Sequence, residues 1–123
     1  MYNPKFYLDT IIPSYVFNTH VPDKQEAAKR LLDFAKTEGH EVFISAVVIR
    51  EIQETQDIAL RNKIAEIVKN FNVLEITEEC INLAEEYIKK EIMPAKNRDD
   101  ALHIACASIY EIDYLVSYNL SIL

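Results

Sequence analysis

Asn97-Arg98-Asp99-Asp100-Ala101-Leu102-His103-Ile104-Ala105-Cys106-Ala107 sets two adjacent carboxylates ahead of a run whose apolar residues recur at helical spacing. Ala101, Ile104 and Ala105 share one side, with Leu102 and Ile109 beside them, so the acids fall in the first turn of a buried helix. A helix start carries partial positive charge and unpaired N–H groups, and acids stabilise it there whatever the protein does. Functional meaning comes from company. Asp9 ends one apolar strand and Glu51 lies just beyond another, so an acidic triad can converge on Asp100 from separate parts of the chain.

Working back to the start, Lys5-Phe6-Tyr7-Leu8-Asp9 reads as a strand stopping at Asp9, followed by Thr10, Ile11, Ile12 and the breaker Pro13. Carboxyl ends of strands in open α/β sheets are where ligands bind, which competes with a plain capping role for Asp9 or Thr10. Ser14 to Val21 is expected to hold a short helix before the turn Val21-Pro22-Asp23. From Lys24, residues Ala27, Ala28, Leu31, Leu32 and Ala35 form the apolar face of a helix stopped near Gly39, with Lys24, Lys29, Arg30 and Lys36 on its solvated face.

Val42-Phe43-Ile44-Ser45-Ala46 has the continuous apolar character of a strand buried on both faces. Ser45 is placed to cap the helix that follows, and Glu51 falls on that helix's second turn, facing either a cleft or solvent. A further amphipathic helix runs through Leu60, Ile64, Ile67, Val68 and Phe71, then a strand at Val73-Leu74-Glu75-Ile76. Thr77 or the acids beside it cap a helix carrying Cys80, Ile81, Ala84, Tyr87 and Ile88. Lys89, Lys90, Lys96 and Arg98 gather just ahead of Asp99, either as cations at a helix end or as a path for a phosphate backbone. Asp113-Tyr114-Leu115-Val116-Ser117 is the last strand, with Asn119 past its end. Four strands alternating with helices predict an α/β, mainly parallel sheet between helical layers.

At 123 residues the chain is expected to form a single domain, 1–123. Its apolar runs are too short for a membrane span, and the N-terminus does not open a signal peptide, so it reads as cytoplasmic. Cys80 and Cys106 form no metal-type spacing and are expected as buried free thiols. One glycine rules out glycine-rich phosphate loops. With 20 acids against 13 bases, the net charge of −7 argues against a passive nucleic-acid coat protein but not against a nuclease. Three converging carboxylates need a metal cation or a neutralising Lys or Arg, and hard oxygen ligands suit Mg²⁺ or Mn²⁺, which can activate water for attack on a phosphodiester. His103, one helical turn after Asp100, suits packing or support of a ligand better than general-base work. Asp9-Thr10-Ile11 lacks the second acid that an aspartyl phosphatase needs two positions on.

The order Tyr7-Leu8-Asp9-Thr10, Val47-Val48-Ile49-Arg50-Glu51-Ile52, Asp100-Ala101-Leu102-His103-Ile104-Ala105 and Asp113-Tyr114-Leu115-Val116-Ser117-Tyr118-Asn119 resembles PIN-domain proteins, and more narrowly the VapC-like toxin ribonucleases of type II toxin–antitoxin pairs. The resemblance implies a three-layer PIN-like fold with a mainly parallel four- or five-stranded sheet. It also implies a Mg²⁺- or Mn²⁺-dependent endoribonuclease, usually a homodimer and often inhibited by a cognate antitoxin. Asp9, Glu51 and Asp100 match the family's acidic positions, with Asp99 the rival to Asp100, and Thr10 matches a small polar residue that orients ligands or water. Asn119 stands where many members have a fourth acid and still offers a carbonyl oxygen. The family's further edge strand and helix would follow Asn119, more than Leu120-Ser121-Ile122-Leu123 supplies. These departures motivate an alternative: a catalytically weak PIN-like module that binds RNA or protein without cutting.

Overall fold

A computed structural model describes residues 3–37 and 40–117. Gly39 and Asn119, to which the sequence assigns a helix stop and a site role, lie outside the described residues.

Strand β1 (Lys5–Leu8) is the axis of the sheet. It pairs in parallel with β2 (Glu41–Ser45) on one side and β4 (Tyr114–Val116) on the other, and β3 (Asn72–Leu74) extends the sheet beyond β2, giving the order β3-β2-β1-β4. Tyr7 sits opposite Phe43 and Leu115, and Ser45 opposite Leu74. The helices between strands are α1 (Ile11–Tyr15), α2 (Pro22–Ala35), α3 (Ala46–Gln53), α4 (Ile58–Val68), α5 (Glu78–Lys89) and α6 (Arg98–Ile109), the last entered through a 3-10 turn at Ala95–Asn97.

Alternation along the strands assigns the two faces. Leu8 and Val42 pack against Ile12, Leu32 and Ala35, while Ile44 meets Val48, Ile52, Ile64 and Val68, so one face lies under α1 to α4. Tyr7 points the other way, with Cys80 and Cys106, toward α5 and α6. Both cysteines are buried and free. Ala84, Met93, Ala101 and Ala105 form the seam between α5 and α6, where small side chains allow close approach of the two helices. The expected α/β sheet between helical layers is thus the observed one, and all its described pairings are parallel. Among the described residues no helix is long and apolar enough to cross a membrane.

Local chemistry explains most boundaries. Ser45, Asp57 and Thr77 cap α3, α4 and α5 by accepting the N–H of Val47, Leu60 and Cys80. Two expectations need correction at prolines. The first helix is Ile11–Tyr15 rather than 14–21, with Pro13 inside its opening turn, and α2 starts at Pro22 rather than after it. Backbone N–H groups in a first turn have no helical partner, so proline forfeits nothing there.

At the end of the sheet where the strands begin, Phe6 stacks on Tyr114 with ring centroids 5.1 Å apart and meets His40 edge-on, while Phe34 lies 4.5 Å from His40. The acids occupy the other end. Ile44, fully buried beneath α3 and α4, tests the core: Ile44→Ala is expected to lower the unfolding free energy by about 2–5 kcal/mol in urea denaturation.

Candidate active site

Strand order fixes where a site can form. The chain steps from β1 to β2 and β3 in one direction and then returns to place β4 on β1's opposite side, so a crevice opens past the carboxyl ends of β1 and β4. Asp9 is the first residue past β1 and Ser117 the first past β4, and the Ser117 hydroxyl donates to Asp9 Oδ2. Asp9 Oδ1 accepts the Ile11 N–H at 3.1 Å, so the same carboxylate tethers the start of α1.

A cleft of about 590 Å³ lies over this point. Asp9, Thr10, Glu51, Asp99 and Asp100 all line it, together with His103, Glu54, Lys96 and Arg98. Asp9, Thr10, Glu51 and Asp100 therefore face one cavity, with Lys96 and Arg98 of the basic cluster, whereas Lys89 and Lys90 do not line it. Its lining holds the carboxylates of Asp9, Glu51, Glu54, Asp99 and Asp100 against the cations of Lys96 and Arg98, an imbalance that attracts positive charge. Arg98 is itself paired with Glu85.

The acids differ in their surroundings. Asp9 is only 6% exposed, and burial raises its pKa despite the Ser117 hydroxyl, the His103 imidazole and the Ile11 N–H, with Asp100 adding to the rise. That coupling ties Asp100 to Asp9 electrostatically. Asp99 instead pairs with Arg50 of α3, which also lies 3.8 Å from Glu54. Glu51 is pushed up by burial, but hydrogen bonds from His103 and Thr10, with the nearby His103 and Arg50, outweigh it and leave the carboxyl below its ordinary value. Both bonds engage Oε1, at 2.7 Å from Thr10 Oγ1 and 2.9 Å from His103 Nε2. Oε2 has no hydrogen-bond partner among the described residues. Also among the described residues, no three His, Cys, Asp or Glu side chains are gathered closely enough to hold a metal ion by themselves.

Behind Glu51 lies a set of polar groups, of which the sequence marks only His103 as a candidate support for a ligand. His103 is 4% exposed, and its Nδ1 is 2.5 Å from the Tyr7 hydroxyl, which in turn is 2.7 Å from Ser45 Oγ. In sequence Tyr7 is part of an apolar strand and Ser45 a helix cap. The available signal was chemical: a tyrosine in a strand covered on both faces needs a partner for its hydroxyl. Burial drives the Tyr7 phenol far above its ordinary range, so it keeps its proton.

No protein-family model and no curated protein matches this sequence. Solved structures match it in fold. The α/β architecture with its four-stranded parallel sheet is a PIN-like fold, and within that class the fold is VapC-like. A chain of VapBC2 from Rickettsia felis, solved bound to a DNA fragment from the pair's promoter, superposes with a TM-score of 0.66 at 17% identity, over 95% of this chain and 89% of that one. VapC20 of Mycobacterium tuberculosis, described as a sarcin–ricin loop cleaving toxin, gives 0.70 at 18% identity, over 94% of this chain and 92% of that one.

The contrast between Asp9 and Glu51 predicts opposite effects on the stability of chelator-treated protein. Folded Asp9 holds its proton more tightly than unfolded Asp9, so stability falls as pH rises from about 4 through the folded pKa. Asp9→Asn should therefore stabilise the fold at pH 7, with the gain vanishing below about pH 4. Folded Glu51 holds its proton less tightly, so its contribution is present at neutral pH and lost as pH falls through its folded pKa. Glu51→Gln should destabilise at pH 7. Urea unfolding across this pH range reads both.

Proposed function

We propose that this protein is a metal-dependent endoribonuclease that hydrolyses RNA phosphodiester bonds, acting as the toxin of a toxin–antitoxin pair. The observation that carries the reading is the arrival of Asp9, Glu51 and Asp100, from β1, α3 and α6, in one cleft at the switch point of the sheet. The VapC-like fold, shared with a protein described as cleaving the sarcin–ricin loop, supports it.

The donor set fits a hard divalent cation. All three proposed ligands are carboxylates, Asp9 carries a charge whose burial is poorly compensated, and Glu51 keeps Oε2 available. Mg²⁺ keeps several waters and needs few protein ligands, so it does not require the closed three-ligand group that the described residues lack. Asp9, Glu51 and Asp100 would hold Mg²⁺ or Mn²⁺, supplying Lewis-acid stabilisation of phosphate charge and a lowered pKa for the attacking water. Thr10 holds Glu51 through Oε1 and lines the cleft where a water or phosphate oxygen would bind. Lys96 and Arg98, which line the same cleft, would steer the phosphate backbone. Asn119 would add a neutral oxygen donor. The protein would act in the cytoplasm as a homodimer, with a cognate antitoxin protein as its inhibitor.

Asp9→Asn and Asp100→Asn are each expected to lower the cleavage rate at least about a hundredfold, judged on total RNA and on a synthetic sarcin–ricin stem-loop. Asp99→Asn should cost far less, because that carboxylate is engaged by Arg50. Chelation should stop cleavage and Mn²⁺ restore it. Cleavage indifferent to chelator and to both substitutions would refute the assignment. A wild-type protein that binds RNA but neither cuts it nor takes up Mn²⁺ in calorimetry would instead be a binding module.

A further inference from the structure

Ser45, Tyr7, His103 and Glu51 form a connected series of hydrogen bonds, to which a neutral His103 ring would give one consistent set of donors. A carboxylate only accepts, so His103 Nε2 donates to Glu51 Oε1. In the neutral ring Nδ1 is then an acceptor, and the proton between it and Tyr7 comes from the phenol. The Tyr7 oxygen in turn accepts from the Ser45 hydroxyl, and Ser45 Oγ accepts the N–H of Val47 at 3.2 Å. Every donor is used once, and one histidine tautomer satisfies all of them.

The series closes on itself. It leaves the first turn of α3 at Val47, crosses β1 at Tyr7 and α6 at His103, and returns to α3 at Glu51. Apart from β2, which supplies Ser45, each element it joins carries or leads into one of the proposed ligands. Asp9 lies two residues past Tyr7, Asp100 one helical turn before His103, and Glu51 is a member. Tyr7 and Ser45 are fully buried, so no water competes for these bonds.

We propose that Tyr7, His103 and Ser45 are positioning residues: their buried circuit orients Glu51 and sets the spacing of the three carboxylate-bearing elements for a divalent cation. The proposal rests on the ribonuclease reading above. The circuit holds Glu51 by Oε1, so Oε2 would be the oxygen offered to the ion, and loss of the circuit acts on cation affinity and turnover rather than on RNA binding.

Mn²⁺ titration calorimetry on the intact protein tests it, alongside thermal unfolding and steady-state RNA cleavage. Removal of a hydrogen-bond partner behind a metal ligand weakens affinity by about 10–100-fold, and His103→Asn is expected to do so, since its amide reaches only the Nδ1 position. His103→Gln puts a donor where Nε2 was and should recover most of the affinity. Tyr7→Phe keeps the ring packing while cutting the circuit, and should weaken Mn²⁺ binding and lower kcat with KM for RNA little changed. In a Glu51→Gln background, His103→Asn should add no further loss. The proposal is overturned if His103→Asn and Tyr7→Phe bind Mn²⁺ like wild type, or if the Gln and Asn variants lose affinity equally and in step with unfolding temperature. Wild-type protein that takes up no Mn²⁺ would overturn the ribonuclease reading and this proposal together, whereas wild-type binding that the circuit variants leave intact overturns this proposal alone.

Discussion

β1 is hydrogen-bonded along both edges and covered on both faces, and that confinement governs the rest of the molecule. A tyrosine at the centre of such a strand cannot reach solvent, so its phenol must be satisfied inside the protein. Tyr7 meets that demand through Ser45 and His103, one on the next strand and one on the helix over the same face. The same confinement ends at Asp9, where the strand emerges between the tips of its neighbours. A buried strand thus delivers its following carboxylate to the one place where the sheet order leaves a gap.

The acids illustrate how environment separates groups of one chemical type. Glu51 is held by a hydroxyl and an imidazole and is comfortable as an anion, whereas Asp9, more deeply enclosed and beside Asp100, is not. Asp99, one residue from Asp100, escapes the problem by reaching Arg50 across the α3 and α6 interface. The pair is half-exposed on both sides, so its contribution to stability is small, about 0–1 kcal/mol. Its effect is to hold Asp99 apart and leave Asp100 coupled to Asp9.

The elements were legible where periodicity and capping agreed. Ser45 and Thr77 announced their helices, and the alternation of strands and helices indicated a parallel sheet. Proline misled the boundary near Ile11, because Pro13 reads as a breaker unless its place in the first helical turn is known. The convergence of Asp9, Glu51 and Asp100 on one cleft followed from assigning each to a strand end or the helix start beside it. The roles of Tyr7 and Ser45 did not, since neither departs from its local pattern: the tyrosine completes an apolar run and the serine caps a helix. Only the pairing of β1 with β2 and the packing of α6 above them put the two hydroxyls and the imidazole in line.

The aromatic closure of Phe6, Tyr114, Phe34 and His40 stands at the far end of the sheet from the carboxylates. The two ends are joined by strands only a few residues long, so two dissimilar surfaces share a short scaffold. Replacing Phe34, His40 or Tyr114 would therefore alter a surface at the opposite end of the sheet from the acid-lined cleft, whereas Phe6 adjoins Tyr7 and belongs to both.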